Sequence, residues 1–171
     1  LSGVLNSQNP IELVWGLKAR RMEKSVTYEN RYTQSAIRYA DDKINRMSQG
    51  GNSGTKEEQV SWVAYKQHLF TSVLISDSAF ANGDFLSYNI ANEESKDVKY
   101  TKNLKSTFPL KTKGGELSES LHFYFGPSDY NVLKQYNDKY ELAELIPLGW
   151  GIFGWLNKWL FIPLYNFLAD Y

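Results

Sequence analysis

The last thirty residues of the chain are far more apolar than the rest, and this asymmetry most constrains its fold. The stretch from Leu142 to Leu168 has only two charged residues, Glu144 and Lys158, in 27 positions, a length that would permit a membrane span. Residues that break helices interrupt it at Pro147, Gly149, Gly151, Gly154 and Pro163. Spanning would also place Asn157 and Lys158 in hydrocarbon. The segment therefore predicts a helix that lies in the membrane interface.

Apolar residues recur at helical spacing in this segment. The stripe follows the i, i+3, i+4 pattern and consists of Phe153, Leu156, Leu160, Leu164 and Phe167. Trp155 and Trp159 flank the stripe and Lys158 lies off it, a combination typical of interfacial helices. We predict a membrane-interface site formed by Trp150, Phe153, Trp155, Leu156, Lys158, Trp159, Leu160 and Phe167. The alternative is an amphipathic helix that packs on its own domain.

The residues before this segment have the pattern of antiparallel strands. Runs rich in β-branched and aromatic residues, with partial alternation, lie at 11–17 and 61–76. The second run is expected to supply core side chains, Leu69 and Phe70 among them. Shorter runs lie at 25–32, 36–39, 84–91, 98–104 and 117–125, separated by polar turns such as 82–84. The segments 50–54 and 93–97 read as loops. This spacing predicts a mainly β antiparallel sandwich, and Ser128 or Asp129 can cap a first helix after it.

Composition argues against several function classes. Nineteen basic residues balance nineteen acidic ones, so no net charge attracts the molecule to nucleic acid. Cysteine is absent, which excludes disulfides, thiolate metal sites and cysteine nucleophiles. No phosphate-binding loop, nucleophile elbow, zinc-hydrolase or dinucleotide motif occurs. We therefore expect neither enzymatic activity nor a cofactor.

The histidines and acidic pairs offer only weak alternatives. His68 and His122 each lie in a strand-like run, which favours a structural position over a metal or catalytic one. A sugar-converting enzyme would need a glutamate near a histidine, and Glu116 or Glu119 could serve His122. The adjacent pairs at 57–58 and 93–94 are expected to be solvated surface carboxylates.

A basic stretch runs through the middle of the chain. It comprises Lys96, Lys99, Lys102, Lys105, Lys111 and Lys113, opposed by Asp97. Such a stretch could meet anionic lipid headgroups. We favour the alternative of an edge strand that lysines keep soluble.

The junction between the two parts of the chain resembles one protein family. A strand ends in Phe125-Gly126-Pro127, a short helix follows, and a Gly-Trp element at 145–151 precedes the apolar block 155–168. Upstream, Arg21-Met-Glu-Lys with Glu29, and the segment 60–75, are similar to segments of the same family. In this order they resemble the large periplasmic domain of YidC-type membrane protein insertases, over roughly residues 11–168.

The resemblance implies a fold and a division of the chain. It implies an antiparallel β-supersandwich similar to galactose mutarotases, with C-terminal α-helices. Residues 1–126 would form part of the supersandwich, 127–146 a helical linker, and 147–171 an amphipathic interfacial helix leading toward a transmembrane core. The first eight residues contain neither a basic region nor an apolar run, so we expect the chain to start within a longer protein.

The resemblance also implies a function. It places the chain on the periplasmic side of the bacterial inner membrane, with a docking role in the insertion and folding of nascent inner-membrane proteins. SecYEG and SecDF are the implied partners, and the C-terminal helix would contact the membrane surface. The alternative is a carbohydrate- or protein-binding β-sandwich of a cell-surface protein.

Overall fold

Antiparallel strands dominate the fold. A computed structural model describes residues 11–47, 51–92, 94–95, 98–112, 117–147 and 155–169. The strands are β1 (Ile11–Arg20), β2 (Gln34–Tyr39), β3 (Ile44–Arg46), β4 (Ser53–Lys66), β5 (Phe70–Asn89), β6 (Tyr100–Leu110) and β7 (Leu121–Pro127). The helices are α1 (Val26–Tyr32), α2 (Tyr130–Lys134), α3 (Asn137–Tyr140), a 3-10 helix (Leu142–Leu145), a π-helical turn (Asn157–Phe161) and α4 (Ile162–Ala169). The predicted mainly β antiparallel fold with C-terminal helices is confirmed.

One long hairpin, β4–β5, joins two halves of the sheet. The strand order is β1-β6-β5-β4-β2-β3, and β7 pairs with the first half of β5 while β6 pairs with its second half. A register shift interrupts the β4–β5 ladder between Val60 and Trp62, beside the positive φ angles of Gln59 (53°) and Ala79 (56°). Such bulges bend strands. The bend brings side chains of β1 and β6 against those of β2 and β4.

The core lies between these halves. It contains Ile37, Met47, Val60, Val63, Tyr65, Leu74, Phe80, Phe85, Leu104 and Phe108. Tyr65 links the two sides, since its ring stacks on Trp15 at 4.3 Å and its hydroxyl donates to the Trp15 carbonyl at 3.0 Å. The same hydroxyl lies 2.6 Å from Ser106 Oγ. Burial raises the pKa of the Tyr65 phenol, so it stays protonated and keeps its donor.

The strand predicted over 25–32 is wrong, because these residues form α1. Ser25 has extended backbone angles and its side chain accepts a hydrogen bond from the Tyr28 N–H at 3.1 Å, the geometry of a helix N-cap. The helix then buries Val26 and Glu29 and exposes Tyr28 and Tyr32. Local capping therefore overrides the β propensity of its tyrosines.

The turn predicted at 82–84 is also wrong, because these residues continue β5. Gly83 is buried there, and a Cβ at this position would meet the Phe85 ring at 2.8 Å and the Phe108 ring at 3.0 Å. The glycine therefore makes room for core phenylalanines. The predicted loop at 50–54 is wrong where Ser53 and Gly54 begin β4.

The predicted strand over 61–76 is two strands joined by a tight turn. Residues 67–69 form the turn, and Gln67 N–H donates to the Phe70 carbonyl at 2.8 Å. The prediction that Leu69 and Phe70 belong to the core is wrong, since both side chains are exposed. His68 also lies in this turn, half-exposed, rather than within a strand.

The chain divides into two compact units, one up to Ser128 and one from Asp129 onward. The first unit contains the strands and α1. The second contains the remaining helical elements and includes the predicted interfacial segment.

Candidate membrane interface

The second unit begins with a capped helix. The Asp129 carboxylate accepts a hydrogen bond from the Val132 N–H at 3.1 Å, which starts α2 as the sequence predicts. The side-chain oxygen of Asn137 accepts from the Ala143 N–H at 2.9 Å and so ties α3 to the 3-10 helix. Leu133, Leu142 and Leu145 are fully buried. This part of the unit is therefore an ordered, partly apolar helical segment.

The apolar C-terminal segment is helical from residue 155 to 169, with one irregular turn. In the π-helical turn the Ile162 N–H donates to the Asn157 carbonyl, five residues earlier. Pro163 explains the wider turn, because proline lacks an N–H and its ring clashes with the carbonyl four residues before it. The irregular turn rotates the residues after it relative to those before it.

Most large apolar side chains of this helical segment are exposed. The exposed fractions are 62% for Trp155 and 66% for Trp159, and Leu160 and Phe167 are exposed as well. Leu156 is half-buried. Phe161, Leu164, Tyr165 and Leu168 add further exposed apolar surface. An exposed apolar patch of this extent marks a surface that meets a membrane or a protein.

The structure describes only some of the predicted interface residues. Trp155, Leu156, Trp159, Leu160 and Phe167 all lie on the helical segment. Trp150 and Phe153 lie outside the described residues, and so does the side chain of Lys158.

The exposed apolar residues differ from the predicted single stripe. Tyr165 and Phe167, both exposed, point to different sides of α4, because residues two positions apart in a helix are about 200° apart. Within the described residues, no helix has the length and hydropathy needed to cross a membrane. The segment is thus short, broadly apolar and exposed.

In the part of the chain that the structure describes, the histidines do not form the catalytic or metal sites that the sequence offers as alternatives. His122 Nε2 lies 2.9 Å from Asp77 Oδ2, and Ser120 donates to the same oxygen at 2.7 Å, so the carboxylate bridges two partners. Glu119, the glutamate considered for His122, instead accepts from Ser78 at 3.1 Å, and Glu116 lies outside the described residues. Among the described residues, no three metal-binding side chains cluster.

Of the acidic pair at 57–58, Glu58 is exposed as predicted, whereas Glu57 is partly buried and held by hydrogen bonds. Glu57 Oε1 accepts hydrogen bonds from Thr55 at 2.6 Å and from Asn45 at 3.2 Å. Partial burial acts to raise the pKa of Glu57, but hydrogen bonds from Thr55, Tyr39 and Asn45 outweigh it and leave the pKa below its ordinary value. Glu57 is thus an anion held by neighbours, a structural role rather than that of a proton donor.

The prediction that the basic stretch forms an edge strand is wrong. Its strand β6 is not an edge strand, because it lies between β1 and β5, and Lys102 is fully buried. Lys102 Nζ donates to the carbonyls of Thr33 at 2.8 Å and Asn30 at 3.1 Å. Burial lowers the pKa of Lys102 to about 8. Lys102 therefore joins β6 to the end of α1 and is unavailable to lipid, whereas Lys96 and Lys113 lie outside the described residues.

Exposed apolar side chains also occur on the first unit, where the sequence did not predict them. They include Met22, Leu69, Phe70, Phe123 and Phe125. Phe123 and Phe125 alternate along β7, and their rings are parallel within 7° at 6.1 Å. The alternation of apolar and polar residues in β7 predicts that one of its faces is buried. The structure shows instead that the face with Phe123 and Phe125 is exposed.

Comparison with known proteins identifies relatives over nearly the whole chain. The sequence profile of the family described as the YidC periplasmic domain matches residues 5–163. A protein of Porphyromonas gingivalis W83 named membrane protein insertase YidC is 35% identical over 170 residues, which cover 94% of this chain and 26% of that protein. Proteins of the same name from Parabacteroides distasonis and Bacteroides fragilis NCTC 9343 are 33% and 31% identical, and cover 100% and 96% of this chain.

The chain spans only about a quarter of the length of these relatives, with 28% and 27% of the latter two covered. No solved structure matches the chain. The similarity therefore concerns one part of a larger protein.

Proposed function

The chain belongs to the YidC periplasmic domain family, and from this membership we propose that it is the periplasmic module of a membrane protein insertase. The insertase assists nascent inner-membrane proteins as they insert and fold in the bacterial inner membrane. The relatives carry the name of that activity over proteins about four times as long as the matched part. This chain therefore contributes only part of the insertase activity.

The proposed contribution of this chain to the insertase is non-catalytic docking and positioning. Residues 1–126 form the β part, 127–146 a helical linker, and 147–171 an interfacial helix that leads toward the membrane core. The helix holds the β part at a fixed height over the bilayer, with tryptophan rings at headgroup level and Lys158 near phosphate. The insertase works alone or beside SecYEG and SecDF, and the module neither binds nucleic acid nor uses a cofactor.

One observation carries this proposal: the exposed apolar side chains of the helical segment 155–169. Trp155 and Trp159 are each more than half exposed, although burying such side chains from water is favourable by about 1.5–3 kcal/mol each. Tryptophan has an apolar body and one polar N–H, which suits the boundary between headgroups and acyl chains. A bilayer surface satisfies both requirements.

Combined replacement of Trp155, Trp159 and Leu160 by serine should weaken vesicle binding at least about tenfold, because each loss removes buried apolar area at the interface. The measurement is co-sedimentation of the 171-residue chain with phosphatidylethanolamine/phosphatidylglycerol vesicles. Circular dichroism at the same concentration checks that the strands remain folded.

A matched variant carries serine at Val14, Leu86 and Tyr88, which are exposed on the first unit. It should bind vesicles like the unchanged chain. If both triple variants bind equally, the helix is not the membrane contact. If the unchanged chain binds no vesicles at all, the carbohydrate- or protein-binding alternative regains its standing.

A further inference from the structure

Three segments of the first unit converge at one end of the sandwich. The loop 21–25 meets the β4–β5 turn where Glu23 Oε1 lies 3.2 Å from His68 Nδ1. Helix α1 meets the same turn, because the Tyr32 and Tyr28 rings lie 5.0 Å and 5.6 Å from the His68 ring. These contacts define an end surface made of the loop 21–25, the exposed side of α1 and the turn 67–70.

The chain leaves the first unit at this same end surface. The Ser128 N–H donates to the Leu69 carbonyl at 2.8 Å, and the Ser128 hydroxyl donates to the Gln67 carbonyl at 3.4 Å. Ser128 is the last residue of the unit, directly before the residues that lead to the apolar helix. The tether to the proposed membrane helix is therefore anchored on the turn that bears Leu69.

The loop of the end surface is held in shape from below. The buried Glu29 carboxylate accepts hydrogen bonds from the Met22 N–H at 2.8 Å and the Glu23 N–H at 3.4 Å. Arg21 donates to the Lys24 carbonyl at 2.7 Å. This framework fixes the loop backbone and leaves the Met22 side chain 70% exposed. An ordered loop that presents an apolar tip loses little conformational entropy when that tip is buried by a ligand.

Apolar tips continue along the turn. Leu69 is 62% exposed and Phe70 57% exposed, although both are large apolar side chains. Phe125 is also exposed. It pairs with Ser72, so its side chain lies on the same face of the sheet as Phe70, one diagonal step away. Met22 and Leu69 thus project from the same end at two neighbouring chain segments.

The chemistry around these tips favours an anionic bilayer. Exposed cations stand in or next to the loop and on α1, at Arg20, Lys24 and Arg31. Tyr28 and Tyr32, each partly exposed, are suited to headgroup level. Apolar tips flanked by tyrosines and cations combine burial in the acyl region with attraction to anionic lipid.

We propose that this end surface is a second lipid-binding site, which inserts Met22, Leu69 and Phe70 into an anionic bilayer while Arg20, Lys24 and Arg31 contact phosphate. The proposal rests on the proposed function, because the chain leaves the first unit at this end and continues toward the helix that is proposed to bind the membrane. A second contact fixes the orientation of the β part, which a single helix on a tether leaves free to rotate. The two contacts together set both height and tilt.

The absence of cysteine allows a sharp test. Single-cysteine variants of the 171-residue chain at Leu69, Val14 and Leu160 are labelled with an environment-sensitive fluorophore. Vesicles contain phosphatidylethanolamine with phosphatidylglycerol, and in parallel phosphatidylcholine alone. We expect the label at position 69 to shift to the blue with the anionic vesicles and the label at position 14, on the exposed side of β1, to stay unchanged.

The label at position 160 separates this proposal from the proposed function. If position 160 responds and position 69 does not, the helix binds the membrane and the end surface does not, which overturns the second site. If neither responds, both proposals fail. If position 69 responds to raised protein concentration without vesicles, its partner is a second copy of the chain, and this too overturns the lipid site.

A functional variant adds a second readout. Combined Met22→Ser, Leu69→Ser and Phe70→Ser replacement should weaken binding to anionic vesicles about tenfold, while the label at position 160 still enters the bilayer. Serine at Val14, Leu86 and Tyr88 is the matched control and should leave binding unchanged. Equal binding by the two triple variants would contradict insertion of these tips.

Discussion

Replacing Phe108 with alanine should lower the free energy of unfolding by about 3–5 kcal/mol, the range for truncating a fully buried phenylalanine. Phe108 is fully buried, its ring stacks on Phe80 at 3.9 Å, and the Phe85 ring meets its side at 5.6 Å. Removing the ring leaves a cavity among the core side chains of β5 and β6. Urea denaturation followed by circular dichroism measures the change.

Phe123→Ala is the matched control, because it removes the same side chain from an exposed position on β7. It should cost less than about 1 kcal/mol, since surface replacements rarely cost more. Similar losses in the two variants would show that the core is not centred on Phe108, and would contradict the described packing of β6 against β5.

The strands were predictable where one face of a strand is buried and the other is exposed. In β1 half-buried and exposed residues alternate almost throughout, and the predicted run 11–17 lies within Ile11–Arg20. The helix after Asp129 was predictable as well, because its cap is a local feature of the sequence. Local signals of this kind do not depend on the rest of the fold, which is why they, and the family resemblance, are confirmed.

Features that depend on distant partners were not predictable. Gly83 lies between Asn82 and Asp84, a sequence typical of turns. Only the positions of the Phe85 and Phe108 rings explain a glycine inside a strand here. Lys102 reads as one of several surface lysines, and only the packing of α1 on β6 supplies the two carbonyls that hold it. In both cases a deciding contact joins residues that are remote in sequence, namely Gly83 with the Phe108 ring, and Lys102 with the carbonyls of Asn30 and Thr33.

The exposed apolar segment near the C-terminus was predictable in location and less so in shape. The low charge of the C-terminal segment indicates its apolar character, but the turn before Pro163 and the exposed Tyr165, which lies off the predicted stripe, spread that character around the helix. The end surface with Leu69 was not predicted, because a continuous apolar run from 61 to 76 conceals the short turn within it. Turn geometry, rather than composition, converts such residues from core to surface.

Lys102 suits its site as a neutral amine. It has two hydrogen-bond acceptors among the described residues, the carbonyls of Asn30 and Thr33, and a neutral amine has two N–H donors. Burial lowers its pKa from 10.5 to about 8, so the folded chain holds fewer protons than the unfolded chain between these two pH values. Stability therefore rises with pH across that window, since the unfolded state binds more protons. The cost of the buried charge is fully present below pH 8.

Lys102→Met should remove this alkaline gain, because methionine cannot lose a proton. For the unchanged chain, the gain attributable to Lys102 is on the order of 2–3 kcal/mol between pH 8 and 10.5. Urea denaturation from pH 7 to 10 should show the unchanged chain gaining stability relative to Lys102→Met as the pH rises. Lys105→Met, which replaces an exposed lysine of the same strand, should follow the unchanged chain. A constant difference between Lys102→Met and the unchanged chain over this range would mean that the Lys102 amine is as protonated in the folded chain as in the unfolded one, and its burial would then require a third acceptor.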